Sequence, residues 1–263
     1  MEKLNFMDSI RKSITLYFQN FGKFFVPFLW PALLGAIGVI IMLIVMAIGV
    51  TMKAGNVQLS ALPLGIMVAF ILLGLVIYIL AVVRFIELHA ATAIVTKKLL
   101  FEGEKPDYNN ALLEVKADGG RLAKTFLWYL LFIILTSIVA LIIFGILGIM
   151  LFPGGIPKIY KNFVQVVVLG TFVSPFFLFL YQVFALKKNI CAINCVFESM
   201  KISAKHFLPI ALVLFAWNML IFIISSFLPI VNFILLPAIL LLRPAFLILV
   251  TYWYLRFTEG ENT

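Results

Sequence analysis

The chain has 263 residues, of which 64% are hydrophobic and only 12% are charged, and its formal net charge is +9. Soluble domains carry roughly half apolar and a quarter charged residues, so the composition excludes an ordinary water-soluble fold. It predicts an all-α, polytopic integral membrane protein. The positive charge alone would be compatible with nucleic acid, but the placement of Lys and Arg described below favours a topological role, and no nucleic-acid partner is expected.

The first predicted element is a basic amphipathic helix over residues 4–22. Its polar side carries Arg11 and Lys12. Such a helix is typical of segments that lie in the interface between water and an anionic membrane surface. The apolar stripe of this helix consists of Met7, Ile10, Ile14, Tyr17 and Phe21.

Two transmembrane helices follow the amphipathic segment. The apolar run at residues 24–50 is longer than the core of a cleavable signal peptide and long enough to span a bilayer, so we expect it to remain in the mature protein. After a polar loop at residues 51–60, a second helix begins near Leu62 and is apolar as far as Val83. Its basic end comes only at Lys97 and Lys98.

The middle of the chain predicts a short helix and two further spans. A polar segment at residues 99–124 contains a short helix, which Asp118-Gly119-Gly120 is expected to end because glycine weakens helices. The third span is predicted at residues 125–151. The fourth covers residues 163–186 and ends at the pair Lys187 and Lys188.

The last third repeats the same order. A second clear amphipathic segment, residues 189–205, carries Lys201 on its polar side. The fifth span is predicted at residues 207–227. The sixth ends near Leu255 and is interrupted by Pro237 and by Arg243-Pro244.

The distribution of Lys and Arg predicts the topology. Four lie in the N-terminal arm, seven in the second connection, four in the fourth and one in the tail, whereas the first, third and fifth connections carry one, two and none. Cytoplasmic segments are enriched in Lys and Arg. We therefore expect six spans with both termini in the cytoplasm, in a multi-pass protein of the plasma membrane.

The spacing of the even-numbered spans predicts an internal repeat within a single transmembrane domain, residues 1–263. Arg84, Ser174 and Arg243 each stand 13 residues before a basic residue at the end of a span, and Pro follows two of them. The predicted repeats are residues 4–98, 107–188 and 192–256, arranged as three helical hairpins. Chance is the alternative, since helix pairs in membrane proteins share apolar composition and basic ends. Each amphipathic segment also carries a comparable i, i+4 pair: Ser9 and Ser13, Ala111 and Val115, Cys195 and Ser199.

The segment KKNICAINCVFESMKISAKHF at residues 187–207 resembles a motif of prokaryotic six-helix membrane families. These include the membrane domain attached to some glycerophosphoryl diester phosphodiesterases and related families of unknown function. Their signature is a small residue followed four positions later by Ser, and Cys195 and Ser199 occupy those positions here. The resemblance implies a six-helix membrane fold without catalytic residues, because the diesterase chemistry belongs to a soluble barrel that this chain lacks.

Four residues form a candidate anion or lipid site. The repeat places Arg84 and Arg243 about 20 Å from the ends of their helices, at 1.5 Å per residue, where a charge is costly unless it is paired. Glu87 lies one turn from Arg84, and His89 is close to both in sequence. One interpretation is a site for lipid phosphate or an anionic solute. The other is an Arg–Glu clamp between helices, with the second Arg extended towards the headgroups. Further possible donors to such a site are Tyr181, Gln182 and Asn218.

Neither catalytic nor metal-binding motifs occur in the chain. It contains no Walker loop, GxSxG or HExxH sequence, and its two Cys and two His do not form a metal-ligand pattern. We therefore expect no cofactor and no enzymatic activity.

Two functions remain open for such a protein. The first is binding or organising membrane lipids, or scaffolding, through the basic interfacial residues Arg11, Lys12, Lys187, Lys188 and Lys201. The second is transport of a lipid or small solute through the candidate arginine site. A polar cavity reaching the arginines would favour a site and a solid interior would favour a scaffold; a protein partner or homo-oligomer is left open.

Overall fold

The computed structural model describes residues 6–54, 61–227 and 232–259, and it contains no strand within these ranges. The predicted all-helical class is thereby confirmed. The helices are α1 (Phe6–Gln19), α2 (Phe21–Ala54), α3 (Ala61–Phe101), α4 (Tyr108–Ala117), α5 (Gly119–Leu151), α6 (Lys158–Phe163), α7 (Leu180–Leu186), α8 (Ala192–Lys205), α9 (Phe207–Phe227) and α10 (Asn232–Glu259). A π-helical segment (Val164–Val173) and a 3₁₀ turn (Ser174–Phe177) join α6 to α7.

Several of these helices are long and apolar enough to cross a bilayer. Four candidate spans occur in the described part of the chain, at Phe21–Met52, Pro63–Phe101, Gly119–Leu151 and Lys158–Leu186. A fifth arises if α8 and α9, which meet at an angle of 89°, are counted as one broken span. The protein is thus an all-helical membrane protein with four or five candidate spans. The sixth predicted span coincides with α10, which continues through Pro244, and its crossing stays a prediction.

A short helix followed by long helical segments occurs three times along the chain. The short helices are α1, α4 and α8, and each is separated from the next helix by one residue: Asn20, Asp118 and His206 respectively. The predicted end of α4 is confirmed at Asp118, but Gly119 and Gly120 form the first turn of α5 instead of a loop. Glycine is tolerated there because the first amides of a helix have no partner within the helix.

Among the described residues, most of the buried interior lies at one end of the bundle. At the end that carries α1, α4 and α8, residues 88–96 of α3 and 182–185 of α7 are all buried, as are most residues from 244 to 255 of α10. Beyond this packed end, residues 64–83 of α3 and 127–151 of α5 expose most of their side chains. The second part of the bundle therefore presents apolar side chains outwards, as expected of helices surrounded by lipid.

Glycines bring α2 and α3 into close contact along their length. A Cβ atom placed on Gly38 would lie 2.7 Å from the carbonyl oxygen of Gly74 and 2.9 Å from the amide nitrogen of Tyr78. A Cβ atom on Gly74 would lie 2.8 Å from the carbonyl oxygen of Gly38. Small residues at such crossings let the backbones of membrane helices approach closely, so these two glycines set the distance between α2 and α3.

The i, i+4 pairs predicted for the short helices lie on their buried sides. Ser9 and Ser13 are buried on α1, where Tyr17 follows and donates a hydrogen bond from its hydroxyl to the carbonyl of Leu241 at 2.5 Å. Burial raises the pKa of Tyr17 to about 12, so the phenol stays a neutral donor. The i, i+4 pairs on α4 and α8 are buried as well.

The apolar stripe predicted for α1 does not face the protein throughout. Met7 and Ile14 of the stripe are 73% and 44% exposed, and the neighbouring Phe18, outside the stripe, is 57% exposed. Only Tyr17 of the predicted stripe is buried. The serine face packs against the bundle because small side chains permit close approach, which leaves the larger apolar side chains on the outside, as an interfacial helix requires.

The fourth candidate span is irregular in its middle. The π-helical segment, ten residues long, gives way to the 3₁₀ turn at Ser174 and Pro175, and π-helical turns inside helices are rare and usually short. Pro175 cannot donate a backbone hydrogen bond. The hydroxyl of Ser199 on α8 donates to the carbonyl of Phe176 in the turn at 3.1 Å. This bond ties the interfacial helix to the irregular part of the span.

We expect Ser199→Ala to destabilise the protein by about 1 kcal/mol, because it removes this hydrogen bond from a buried position. Ser203→Ala is the matched control, since the Ser203 hydroxyl is buried one turn further along α8 without a hydrogen-bond partner among the described residues. Thermal unfolding of the purified protein in detergent measures both changes. Equal unfolding temperatures for the two variants would contradict the assigned role of Ser199.

Candidate anion-binding cleft

A cleft of about 380 Å³ lies where the packed end of the bundle meets the separated parts of α3 and α5. The walls come from α2, α3, α5, α7 and α10. Its lining is more polar than the exposed apolar surfaces around it, because three tyrosines, a histidine and an arginine reach it. The lining residues are Gly35, Tyr78, Ala81, Val82, Phe85, Ile86, His89, Phe126, Tyr129, Tyr181 and Arg243.

Arg243 is held in the cleft by His89. The guanidinium Nε donates a hydrogen bond to His89 Nε2 at 3.0 Å, and the Arg243 Cζ lies 5.7 Å from the centroid of the Phe85 ring. Arginine is always protonated in proteins and can only donate. His89 Nε2 is therefore unprotonated, and the proton of this neutral imidazole lies on Nδ1, 2.5 Å from the carbonyl oxygen of Phe85. His89 acts as an acceptor that orients Arg243.

The remaining donors of Arg243 have no protein partner in the part of the chain that the structure describes. The guanidinium forms no ion pair there, and its Nη atoms have no hydrogen-bond acceptor there. With Nε tied to His89, the two Nη groups are left to bind a ligand. Two parallel N–H donors match the oxygens of a carboxylate or a phosphate.

Three tyrosines complete the polar lining. The ring of Tyr181 lies 5.2 Å from that of His89, and the ring of Tyr129 packs edge-on against Phe177 at 5.5 Å. Tyr78 reaches the cleft from α3. Their hydroxyl groups are possible donors to a bound anion. Tyr181 is among the donors that the sequence suggests, whereas Tyr78 and Tyr129 are missed because nothing in their local sequence separates them from other membrane tyrosines.

The other two donors suggested by the sequence bind elsewhere. The side-chain amide of Gln182 donates to the hydroxyl of Thr251 at 3.3 Å, and that of Asn218 donates to the hydroxyl of Thr171 at 3.5 Å. Neither amide lines the cleft. Both therefore join helices to one another instead of serving the anion site.

Arg84 and Glu87 form a separate pair outside the cleft. Arg84 Nη1 lies 2.5 Å from Glu87 Oε2, one turn along the same helix, and the two side chains are 38% and 17% exposed. Neither residue lines the cleft. Of the four candidate site residues, the structure brings His89 and Arg243 together and pairs Arg84 with Glu87 within α3. An Arg–Glu pair is thus present, but it joins two residues of one helix rather than two helices.

Arg121 forms a second arginine centre, which sequence reasoning missed. Its guanidinium donates to the carbonyl oxygens of Phe184, Lys187 and Ile190 at 2.9, 3.0 and 3.2 Å. Its Nε binds Asp118 at 2.6 Å. The three carbonyls belong to the end of α7 and the connection to α8, where backbone acceptors lack helical partners. Arg121 therefore fixes the start of α5 to this connection, and four of its five N–H donors have protein acceptors.

The predicted interfacial basic residues lie on the surface of the packed end. Lys187 pairs with Glu198 at 2.5 Å, and Lys188 pairs with Glu114 at 3.3 Å. Arg11, Lys12 and Lys201 are exposed. These three exposed cations are available to anionic headgroups, whereas Lys187 pairs with a glutamate of α8 and Lys188 pairs with a glutamate of α4.

Metal binding has no structural support among the described residues, because no group of three His, Cys, Asp or Glu side chains comes together there. Cys195 is buried and Cys191 is exposed, and both are free thiols.

Comparison of the chain with protein-family models, with curated proteins and with solved structures gives no match.

Proposed function

We propose that the protein is a non-enzymatic membrane protein that binds an anionic group, a phosphate or a carboxylate, in the cleft at Arg243. The observation that carries this proposal is the Arg243 guanidinium, oriented by His89 and left with two Nη groups directed at no protein acceptor within the described residues. Arg243 is exposed in the cleft, so its Nη groups are accessible to a ligand. A bound anion would supply the missing partner.

The cleft favours a binding site over a purely structural role. A scaffold would be packed solid around Arg243, and the space of about 380 Å³ beside it argues against this. The basic residues of α1 and α8 support a second, compatible function, namely attachment of the packed end to anionic lipid surfaces. Transport of the bound anion would require the cleft to open to both sides of the membrane.

The test is a comparison of Arg243→Gln with Arg84→Gln, which make the same change inside and outside the cleft. The purified protein is titrated in neutral detergent with phosphatidylglycerol, inorganic phosphate and acetate. We expect at least one probe to bind, and Arg243→Gln to weaken it about tenfold or more, because a charge-assisted bidentate contact contributes about 1.5–3 kcal/mol. Arg84→Gln should leave the affinity within about twofold. If no probe distinguishes wild type from Arg243→Gln, the proposal is wrong.

We further propose the finer topology: six spans in three hairpins, with both termini and the short helices α1, α4 and α8 on the cytoplasmic side of a prokaryotic plasma membrane. The distribution of Lys and Arg supports this arrangement. The threefold order of short and long helices is consistent with it. The resemblance of residues 187–207 to six-helix membrane families agrees as well.

The native cysteines allow the topology to be tested without introducing new cysteine residues. Cys191 is exposed in the connection between α7 and α8, whereas Cys195 is buried. A membrane-impermeant maleimide is expected to label inside-out vesicles and to leave right-side-out vesicles unlabelled. Cys191→Ser should abolish the labelling, which identifies the site. Labelling of right-side-out vesicles at Cys191 would place this connection on the outer side and overturn the topology.

A further inference from the structure

We infer that the ligand of the cleft is a membrane lipid with an anionic headgroup, which enters sideways between α3 and α5 and lays its acyl chain along the exposed apolar side of α3. This inference rests on the proposed anion site and specifies which class of anion occupies it. The headgroup phosphate or carboxylate binds the Nη groups of Arg243.

The cleft has one apolar and open side. The main packing partners of α3 are α2, α4, α7 and α10, whereas those of α5 are α8 and the π-helical segment. Phe85 and His89 of α3 and Phe126 and Tyr129 of α5 therefore face each other across the cleft without close packing between the two helices. Above the cleft, apolar side chains on the cleft-facing side of α3 are exposed at Leu64, Val68 and Leu75, whereas the matching side of α5, at Ile133 and Ala140, is partly buried.

The length of the exposed region matches the hydrocarbon layer. Residues 64–83 of α3, about 30 Å of helix at 1.5 Å per residue, correspond to the thickness of a bilayer core. Arg84 is the first charged residue after this run. The cleft, which extends from Tyr78 to His89 along α3, thus lies at the end of the apolar run, where a lipid headgroup would meet its acyl chains.

The packed end closes the direct path to the cleft from the side of the short helices. Next to His89, residues 90–96 of α3 are buried, and Val183 of α7 and Ile248 and Trp253 of α10 are almost fully inaccessible. A water-soluble anion coming from the side of the short helices would have to pass through this core. A lipid needs no such passage, because it reaches Arg243 from within the bilayer.

The hydrogen bond from Arg243 to His89 also suits a lipid headgroup. It fixes the guanidinium plane and leaves two parallel donors for one phosphodiester or carboxylate. Tyr129 and Tyr181 stand beside it with hydroxyl groups for the remaining oxygens. The site thus offers directed donors at its base and hydrocarbon contact above.

The experiment compares a lipid with its own headgroup. Phosphatidylglycerol and its deacylated form, glycerophosphoglycerol, are titrated separately into the full-length protein in neutral detergent, and bound molecules are counted by native mass spectrometry. We expect the wild-type protein to bind phosphatidylglycerol and Arg243→Gln to bind this lipid at least about tenfold more weakly. We expect the wild-type protein to bind glycerophosphoglycerol at least about a hundredfold more weakly than the lipid, because the deacylated headgroup lacks the apolar contacts.

Two outcomes separate the inference from the proposed function. If glycerophosphoglycerol or inorganic phosphate binds as tightly as the lipid and depends on Arg243, the anion site stands and lateral lipid entry is wrong. If binding of no probe depends on Arg243, both the anion site and lateral lipid entry are wrong.

Arg243→Lys keeps the charge but loses the two parallel donors of the guanidinium, so we expect it to bind the lipid with intermediate affinity. It also provides the comparison with wild type if Arg243→Gln does not fold. Lipid affinity unchanged in Arg243→Lys would overturn the assigned two-donor contact.

Discussion

Replacing Arg121 by Ala is expected to destabilise the protein by about 2–4 kcal/mol, because hydrogen bonds from a charged donor contribute more than neutral ones and several acceptors lose their partner together. The side chain of Arg121 is only 14% exposed, so water replaces it poorly. It holds three carbonyls of the end of α7 and the following connection. The loss should appear as a lower unfolding temperature in detergent and as faster proteolysis between α7 and α8.

Two further variants isolate the cause. Lys124→Ala removes a positive charge from an exposed position one turn along α5, and we expect it to change stability by less than about 0.5 kcal/mol. Arg121→Lys keeps the charge but cannot reach three carbonyls and a carboxylate from one planar group, so it should restore only a small part of the loss. Full recovery with Lys would show that charge, and not the hydrogen-bond geometry, is what matters at this position.

Loss of the Arg121 side chain is expected to affect the cleft as well as the local stability of the protein. Its guanidinium also lies 4.4 Å from the ring centroid of Phe184 and 3.9 Å from the Cys195 sulfur. The side chain therefore joins α5, α7 and α8 at one point. Since Tyr129 and Tyr181 reach the cleft from α5 and α7, an intact Arg121 contact also keeps two walls of the cleft in place.

Apolar runs and basic ends are sufficient to predict most of the helices. The predicted fifth span coincides with α9, Phe207–Phe227. The second is predicted to continue past Arg84 to the basic pair at Lys97, and α3 does so. These features depend on local composition, because a long apolar segment can satisfy its backbone in lipid only as a helix.

The geometry of the cleft could not be predicted in the same way. His89 and Arg243 are 154 residues apart, and no local pattern links them. Sequence spacing points to Arg84 and Glu87 as the nearest opposite charges, and these do pair, but outside the cleft. Which arginine lines the cleft is decided by the rotation of α3 and α10, and that rotation is set by the packing of several helices together.

Irregular backbone also escapes prediction. The sequence predicts one regular span at residues 163–186, because Val, Leu and Phe fill most of it and Ser174 and Pro175 are its main interruption. The structure divides it into π-helical, 3₁₀ and α-helical parts. Hydropathy indicates whether a helix is surrounded by lipid or by water. It does not indicate whether the backbone hydrogen bonds follow the α, π or 3₁₀ pattern. The side chain that supports the turn, Ser199, lies on another element.

Gly38→Ala is expected to destabilise the contact between α2 and α3 by about 1–3 kcal/mol, the usual cost of overpacking. The added methyl group would lie 2.7 Å from one backbone atom and 2.9 Å from another. Backbone cannot turn aside as a flexible side chain can, so the two helices must separate. Because Gly35, one turn before Gly38, lines the cleft, this separation should also weaken ligand binding at Arg243.

Gly145→Ala is the matched control for this change. It makes the same substitution within a long apolar helix, but a Cβ atom at Gly145 would meet nothing within 4 Å. Alanine favours a helix by up to about 1 kcal/mol over glycine, so this variant should be neutral or slightly stabilised in thermal unfolding. If both alanine variants unfold at the same temperature, the close approach at Gly38 does not determine helix spacing. A loss confined to Gly38→Ala, accompanied by weaker ligand binding, would instead show that the spacing of α2 and α3 controls the width of the cleft.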